Sequence, residues 1–335
     1  MAANSALPPN DPSNGDPSSA APLPALFYGA APPRKPRHSP IRAALVPVAF
    51  KMRRLMNDEL YLSTMHYLTI GSMPHLAAPR SFNELIQYRK LHDRNPDLVV
   101  TSDKYAVREY VARRIGPGYL IPLFQQTTDP LAIGFEALPR SCVAKVNCGC
   151  GFNIFIRNSR TADWGEIVEK LQRWIRFPYH TAHREWAYKQ MTKRVLIEEL
   201  LQDEEGVLPD DYKFHVFNGT VRMIQVHYDR FAAHRINLYD EHFRLLNVDY
   251  QGPHTNARRA PPTRLAAMMD VAEALAAGFP YARIDLYQHQ GRIYFGEITH
   301  YPSAGLGVFD PPEFDRVLGD LWRHDQPIPQ KYYAA

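Results

Sequence analysis

The sequence predicts an α+β protein in which a helical entrance leads into two β-containing units of unequal size. Three observations predict this. Up to Gly116, apolar residues recur at helical spacing. Between Cys142 and Arg176, two short β-rich runs flank a glycine turn and lead into an amphipathic helix. After Asp211, hairpin signals at Asn218-Gly219 and Gln288 to Gly291 lie on either side of an Ala- and Met-rich helix.

Residues 1–40 are rich in Pro, Ala, Ser and Asn, with few large apolar side chains. Such a segment cannot offset its own ordering entropy, so it is expected to be disordered. Residues 41–138 read as mainly helical. One helix is expected from Ile41 to about Gly71, with Val46, Phe50, Leu55 and Leu62 among its apolar positions. A second begins near Ser81 and turns Phe82, Leu85 and Ile86 inward. A third is capped by Ser102-Asp103, carries Val107, Tyr110, Val111 and Ile115 as a stripe, and stops at Gly116. Residues 139–201 form the smaller unit. It holds strands from Cys142 to Asn147 and Phe152 to Ile156, a helix from about Trp164 to Arg176, and a buried-type strand from Arg194 to Glu198. Residues 202–335 form the larger unit. There, Tyr212 to Phe217 and Val221 to Val226 flank Asn218-Gly219, the strongest short-range hairpin signal. Thr263 starts a helix that Gly278 stops, and the last hairpin follows.

The chain of 335 residues exceeds one typical domain, and its net charge of +4 with a pI near 8.8 mildly favours anionic ligands. No Lys/Arg run is long enough to argue for nucleic acid. Cys142, Cys148 and Cys150 form no disulfide framework and no Cys-x-x-Cys pair, so neither cross-links nor zinc are expected, and a reducing compartment is implied. No apolar stretch reaches the roughly 18 residues that span a bilayer, and no secretory leader pattern is present. A cytoplasmic location is the resulting expectation.

Chemistry is concentrated in a few places. In the last hairpin, Arg283 and Asp285 share one strand face, and Glu297 and Thr299 repeat that spacing on the second strand. If the turn closes around Gln288 to Gly291, Asp285 and Glu297 approach one another. Two carboxylates within apolar strands repel and lose hydration unless a cation sits between them. A hard divalent cation with bound phosphate satisfies that pattern, and Arg283 beside it suits an anionic intermediate. A solvent-facing strand with scattered charges is the plain alternative.

Lys145 lies within an apolar strand that runs through Asn147 into a turn containing Gly149 and Gly151. An interior lysine calls for an anionic partner, and the glycines let backbone N–H groups approach phosphate. A hairpin turn beside a snorkelling lysine is the alternative. The run Ile197-Glu198-Glu199-Leu200-Leu201 closes a hydrophobic strand where an adenine edge could be read, with Glu204 or Glu205 within reach of a ribose. An acidic loop after a strand is the commoner case. Asp211 and Lys213 share a face, which fits phosphate contact or substrate placement, and an ion pair accounts for them equally well. Lys104 stands at a helix N-terminus, where the dipole disfavours a cation unless an anion is bound.

Taken together, these pieces resemble the ATP-grasp enzymes, and more closely their TupA-like branch, named for a teichuronopeptide biosynthesis protein. The matching motifs are Pro79-Arg-Ser-Phe-Asn-Glu84, Asp103-Lys-Tyr-Ala-Val-Arg-Glu-Tyr-Val111, Lys145-Val-Asn147, Arg184-Glu-Trp186, Asp211-Tyr-Lys213, Phe217-Asn-Gly219 and Phe295-Gly-Glu-Ile-Thr299. They recur in order over about residues 79 to 320.

The resemblance implies a three-lobed ATP-grasp fold that uses ATP and Mg2+. It assigns phosphate contacts to Lys104 and Lys145, and Asn147, Gly149, Gly151 and Asp211 are expected to line the same nucleotide site. Glu198, Glu199, Leu201 and Glu205 fall to adenine and ribose, Asp285, Glu297 and Thr299 to the metal, and Arg283 with Lys213 to the reacting group. Cys148 and Cys150 stand where the family usually has His and Ser, His300 where it has Phe, and Thr299 where most ATP-grasp enzymes have Asn.

The implied activity is ATP-dependent joining of a carboxylate to an amine, in the setting of cell-surface polysaccharide or peptide-polymer synthesis. A glycosyltransferase of the same pathways is the alternative enzyme, but its Asp-x-Asp signature has only poor candidates such as Asn247-Val-Asp249. A non-catalytic nucleotide-binding protein is the third reading, and the presence of both Asp285 and Glu297 argues against it.

Overall fold

The computed structural model describes residues 40–228, 235–255, 260–324 and 326–334; the tail of residues 1–40, except Pro40, lies outside them. The N-terminal part contains helices α1 (Pro40–Met52), α2 (Asp58–Ile70), α3 (Phe82–His92), α4 (Asp97–Ser102) and α5 (Val107–Ile115). The single helix expected from Ile41 to Gly71 is in fact two. Arg53–Leu55 tighten into a 3-10 turn, Met56 is extended, and the Asn57 side chain accepts from the Leu60 N–H at 2.8 Å to start α2. A side-chain cap of this kind competes locally with helix continuation. Ser81 and Glu84 form a capping box on α3, and Asp103 accepts from the N–H groups of Tyr105 and Ala106 ahead of α5.

The smaller sheet contains β1 (Leu123–Thr127), β2 (Cys142–Val146), β3 (Asn153–Ile156) and β4 (Val195–Glu199) in the antiparallel order β1-β4-β2-β3. Helices α6 (Trp164–Arg176) and α7 (Tyr179–His183) lie between β3 and β4 in the chain. Ala144, Val146 and Ile197 are buried with Leu171 and Trp174 of α6, and the Trp174 ring stacks on Phe152 at 5.2 Å. β2 alternates strictly between buried and half-buried residues, which places Lys145 on the face away from that core.

The larger part contains β5 (Asp211–Phe217), β6 (Thr220–Tyr228), β7 (Arg235–Asp240), β8 (Asp249–Tyr250), α8 (Leu265–Ala276), β9 (Tyr281–His289), β10 (Arg292–Thr299), β11 (Phe309–Asp310) and α9 (Phe314–His324). Five of these strands form an antiparallel sheet in the order β10-β9-β5-β6-β7, and β8 pairs with β11. Phe214, Ile224, Ile284 and Leu286 alternate onto one face and enter the main core, against which α8 packs.

The residues between them face the other way and line up in rows across β5, β9 and β10. One row is Lys213, Asp285, Glu297; the next is His215, Arg283, Thr299. That alignment depends on a bulge. The register shifts between Phe295 and Glu297, so Gly296 has no direct partner. Regular pairing would set Gly296 opposite Asp285 and turn Glu297 toward the core.

Candidate active site

The two rows carry a dense set of ion pairs. Arg283 donates from Nε to Asp285 Oδ1 at 2.7 Å, and from Nη2 to Asp285 Oδ2 at 2.9 Å, Glu297 Oε1 at 3.2 Å and Thr299 Oγ1 at 3.0 Å. The guanidinium therefore spans both carboxylates that the sequence brought together. Lys213 Nζ bonds to Asp285 Oδ2 and also contacts Asp211 Oδ2 at 2.7 Å. Lys104 approaches from the loop before α5, with Nζ 3.2 Å from Glu297 Oε2 and donating to the Gly149 carbonyl at 2.6 Å. Lys104 thus joins the glycine turn after β2 to the edge of the larger sheet.

Burial sorts these groups by accessibility. The side chain of Asp285 is 2% exposed and that of Glu297 28%, so Glu297 presents the reachable oxygen. Burial by itself would raise the Glu297 carboxyl, but the cations of Lys104, Arg283 and Lys213 outweigh it and bring the pKa down to about 2. Asp285 goes the other way. Deep burial, with Glu297 and Asp211 nearby, pushes it up against the pull of Arg283 and Lys213. Arg283 resists the effect of burial because Asp285 and Glu297 raise it, so it stays a cation. Beneath the row, His215 is lowered to about 3, by burial first and then by Arg283. It is neutral, with Nε2 donating to Gln225 Oε1 at 3.2 Å and Nδ1 accepting from the Tyr281 hydroxyl at 2.9 Å.

A second cluster lies on the smaller sheet. Lys145 Nζ is 2.5 Å from Glu198 Oε2, and Arg108 Nη1 is 3.4 Å from Glu198 Oε1. Arg108 also donates to the Ile121 carbonyl at 2.9 Å. Val143 of β2 pairs with Glu198 of β4, so Lys145 reaches Glu198 on the diagonal. The anionic partner that an interior lysine requires is thus a residue of the same sheet.

The family model for TupA-like ATPgrasp matches residues 84–323, which takes in both clusters and both sheets. The chain belongs to the TupA-like ATP-grasp family. Its α+β architecture is accordingly an ATP-grasp fold. Among solved structures, the chain is similar to a D-alanine–D-alanine ligase from Bacillus anthracis complexed with ATP, at 15% identity over 60% of this chain and 55% of that one, with a TM-score of 0.36. It is also similar to the ATP-grasp ligase PsnB complexed with minimal precursor, Mg and ADP, at 15% identity over 65% and 57%, with a TM-score of 0.34. A D-alanine–D-alanine ligase from Helicobacter pylori matches at 13% identity over 62% and 56%, with a TM-score of 0.33. The chain therefore spans less than two thirds of the length of these solved proteins. No curated protein matches it.

The site's donor set suits a magnesium ion. Asp285, Glu297 and Thr299 offer only oxygen, they sit on one face of the β9–β10 pair, and Glu297 is held as a carboxylate with an accessible edge. Among the described residues, no group of three or more His, Cys, Asp or Glu is placed to hold a metal. Two carboxylates that share an ion with phosphate oxygens match the usual habit of magnesium better than an all-protein cage does.

The remaining expected residues are more scattered. Gly149 and Gly151 adopt φ of 85° and 76°, and a Cβ on Gly149 would lie 2.6 Å from the Tyr179 ring, so the turn is built for glycine. The Asn147 side chain is occupied within the protein, donating to the Thr192 carbonyl at 3.0 Å and accepting from the Arg194 N–H at 2.8 Å. Leu201 is buried with Ile121 and Tyr294. Glu199 and Glu205 are exposed and enter neither cluster among the described contacts.

Two residues were given no role from the sequence. Arg108 lies four positions after Lys104 in a motif already singled out, and that spacing was its only signal. Glu185, in Arg184-Glu-Trp186, is 3% exposed, and burial raises its carboxyl to about 8 despite the nearby cations of Lys90 and Lys104.

Proposed function

We propose that this protein is an ATP-dependent carboxylate–amine ligase that works through an acyl phosphate. The observation that carries the reading is the row of Lys213, Asp285 and Glu297 with Arg283 bridging the two carboxylates, in a chain of the ATP-grasp family. Lys104 and Lys145 flank the glycine turn from the loop before α5 and from β2, where they would hold the phosphates of ATP. Leu201 and the strand exit after Glu198 would cover the base. Asp285 and Glu297, with Thr299, would hold magnesium, which neutralises charge on the transferring phosphoryl group when bound.

In the first step, an oxygen of the substrate carboxylate attacks the γ-phosphorus, the bond to the bridging oxygen breaks, and ADP leaves. Arg283 and Lys213 stabilise the anionic acyl phosphate and the oxyanion that forms next. The amine then attacks the acyl carbon, phosphate departs, and the amine nitrogen loses a proton. A uronic acid as carboxylate and an amino acid as amine, in the assembly of a cell-surface polymer, are the substrates we favour.

The deciding experiment screens phosphate release from ATP over mixtures of uronic acids and amino acids, then repeats the active pair with an oxygen-18 carboxylate. One label should appear in the released phosphate. Label-free phosphate beside genuine amide product would overturn the acyl-phosphate route. Arg283→Lys keeps the charge and loses the planar fork that meets Asp285, Glu297 and Thr299, so it should retain ATP binding and lose most amide formation.

A further inference from the structure

Helix α1 is apolar on two sides, and among the described residues only one of them is covered. Val46, Ala49 and Phe50 pack against Tyr61, Leu62 and Met65 of α2. On another side Ile41, Leu45, Val48 and Met52, continued by Leu55 of the 3-10 turn after the helix, are between 44% and 82% exposed. Their spacing of four, three, four and three residues makes one continuous stripe about 20 Å long. On the helical wheel Lys51 falls exposed on one flank of this stripe, Arg42 falls on the other with its guanidinium over the Tyr67 ring of α2, and Arg54 is exposed at the end. From residue 17 to residue 57 the sequence contains no Asp or Glu, while Arg34, Lys35 and Arg37 precede the helix.

We propose that α1 is a docking surface for an anionic lipid bilayer, lying in the interface with its stripe among the acyl chains and its cations at the headgroups. Two halves of the pattern meet in that partner, an apolar ridge and a one-signed charge on either side of it. The same spacing could serve as a helix–helix seam with a second copy of this chain. Self-pairing, however, would bring Arg42, Lys51 and Arg54 of both copies together with no carboxylate from either α1 to offset them. The proposal is independent of the ligase reading, because α1 contributes nothing to either ion-pair cluster.

The test is co-sedimentation of the full chain with vesicles of phosphatidylglycerol and phosphatidylethanolamine, compared with phosphatidylcholine alone. The protein should partition onto the anionic vesicles, stay off the zwitterionic ones, and be released by high salt. The triple variant L45Q/V48Q/M52Q should lose partitioning at an unchanged melting temperature, since all three side chains are exposed. K51Q/R54Q should weaken it by about fivefold per charge removed. Equal partitioning of the triple variant, or no partitioning of the wild type, would overturn the proposal. So would a wild-type dimer in light scattering that the triple variant dissolves, which would assign the stripe to a second copy.

Discussion

Replacing Glu185 with Gln removes a charge that the fold disfavours, and its effect can be worked out in advance. The carboxyl is buried, and its folded pKa of about 8 stands above an ordinary value of 4.5. Between those two values the folded protein binds a proton that the unfolded chain releases, so stability falls as pH rises. The contribution is fully present below about pH 4.5 and lost by the time pH passes about 8. A displacement of that size corresponds to at most about 4–5 kcal/mol over the window, a large share of a typical domain's stability.

The groups facing Glu185 are Lys90, Lys104, Cys150, Tyr179, Tyr188 and Tyr301. Lys90 is itself lowered to about 8 by burial, which has the opposite sign and acts above pH 8. Subtracting the Glu185→Gln profile from the wild-type profile isolates the carboxyl. Urea unfolding at steps from pH 5 to 8.5 should show wild-type stability falling relative to Glu185→Gln, with the variant several kcal/mol ahead at the top of the range. Parallel profiles across this window would show that Glu185 titrates normally and would refute the burial argument.

Other substitutions separate charge from packing at the site. Asp285→Asn and Glu297→Gln should both abolish ATP turnover. Only Asp285→Asn should also cost about 1–3 kcal/mol, since it leaves Arg283 to Glu297 and Lys213 to Asp211 with one buried carboxylate fewer between them, and calorimetry will separate the two. Lys145→Ala leaves Glu198 with Arg108 alone at 3.4 Å, so turnover should fall roughly 10²- to 10³-fold and ATP should bind more weakly; unchanged affinity by titration would assign Lys145 to structure. Gly296→Ala places a Cβ 2.9 Å from the Tyr287 ring and 3.0 Å from the Asp285 carbonyl, and thermal melting should register a loss of about 1–3 kcal/mol.

Much of the larger sheet was legible because its signals are local. Asn218-Gly219 marks a tight turn, and the alternation of Arg283, Asp285, Glu297 and Thr299 assigns them to one face. Local alternation did not expose the bulge at Gly296, yet regular pairing would have set Glu297 against Ile284. The face assignment therefore holds through a bulge that the pattern did not contain. The break at Asn57 was hidden because apolar spacing continues across it while a single side-chain cap decides the outcome. β1 was missed because Gln125 and Gln126 give a polar edge strand no apolar alternation.

The pairing of Lys145 with Glu198 lies beyond any local signal. The two residues are 53 positions apart, and only the order β4-β2 in the sheet makes them neighbours. Arg108 joins them from a helix 90 positions before Glu198. For the same reason the sequence read Glu198 as an adenine contact, although its carboxylate is taken up by two cations of the protein.

The unpaired Gly296 gives β10 something close to a reading frame. A strand spells its two faces alternately, so a one-residue insertion acts on them as a frameshift acts on codons, and everything downstream changes sides at once. Upstream of Gly296, Tyr294 shares the site face and Phe295 the core; downstream, Glu297 and Thr299 take the site and Ile298 the core. Deleting this one glycine would remove the bulge and leave Glu297 opposite Asp285, whereas pairing the glycine into a regular ladder would send Glu297 and Thr299 inward and Ile298 outward. In sheets of this kind, an extra residue absorbed as a bulge keeps a carboxylate pair together and the same residue paired into the ladder separates it, a distinction that substitution scans do not sample.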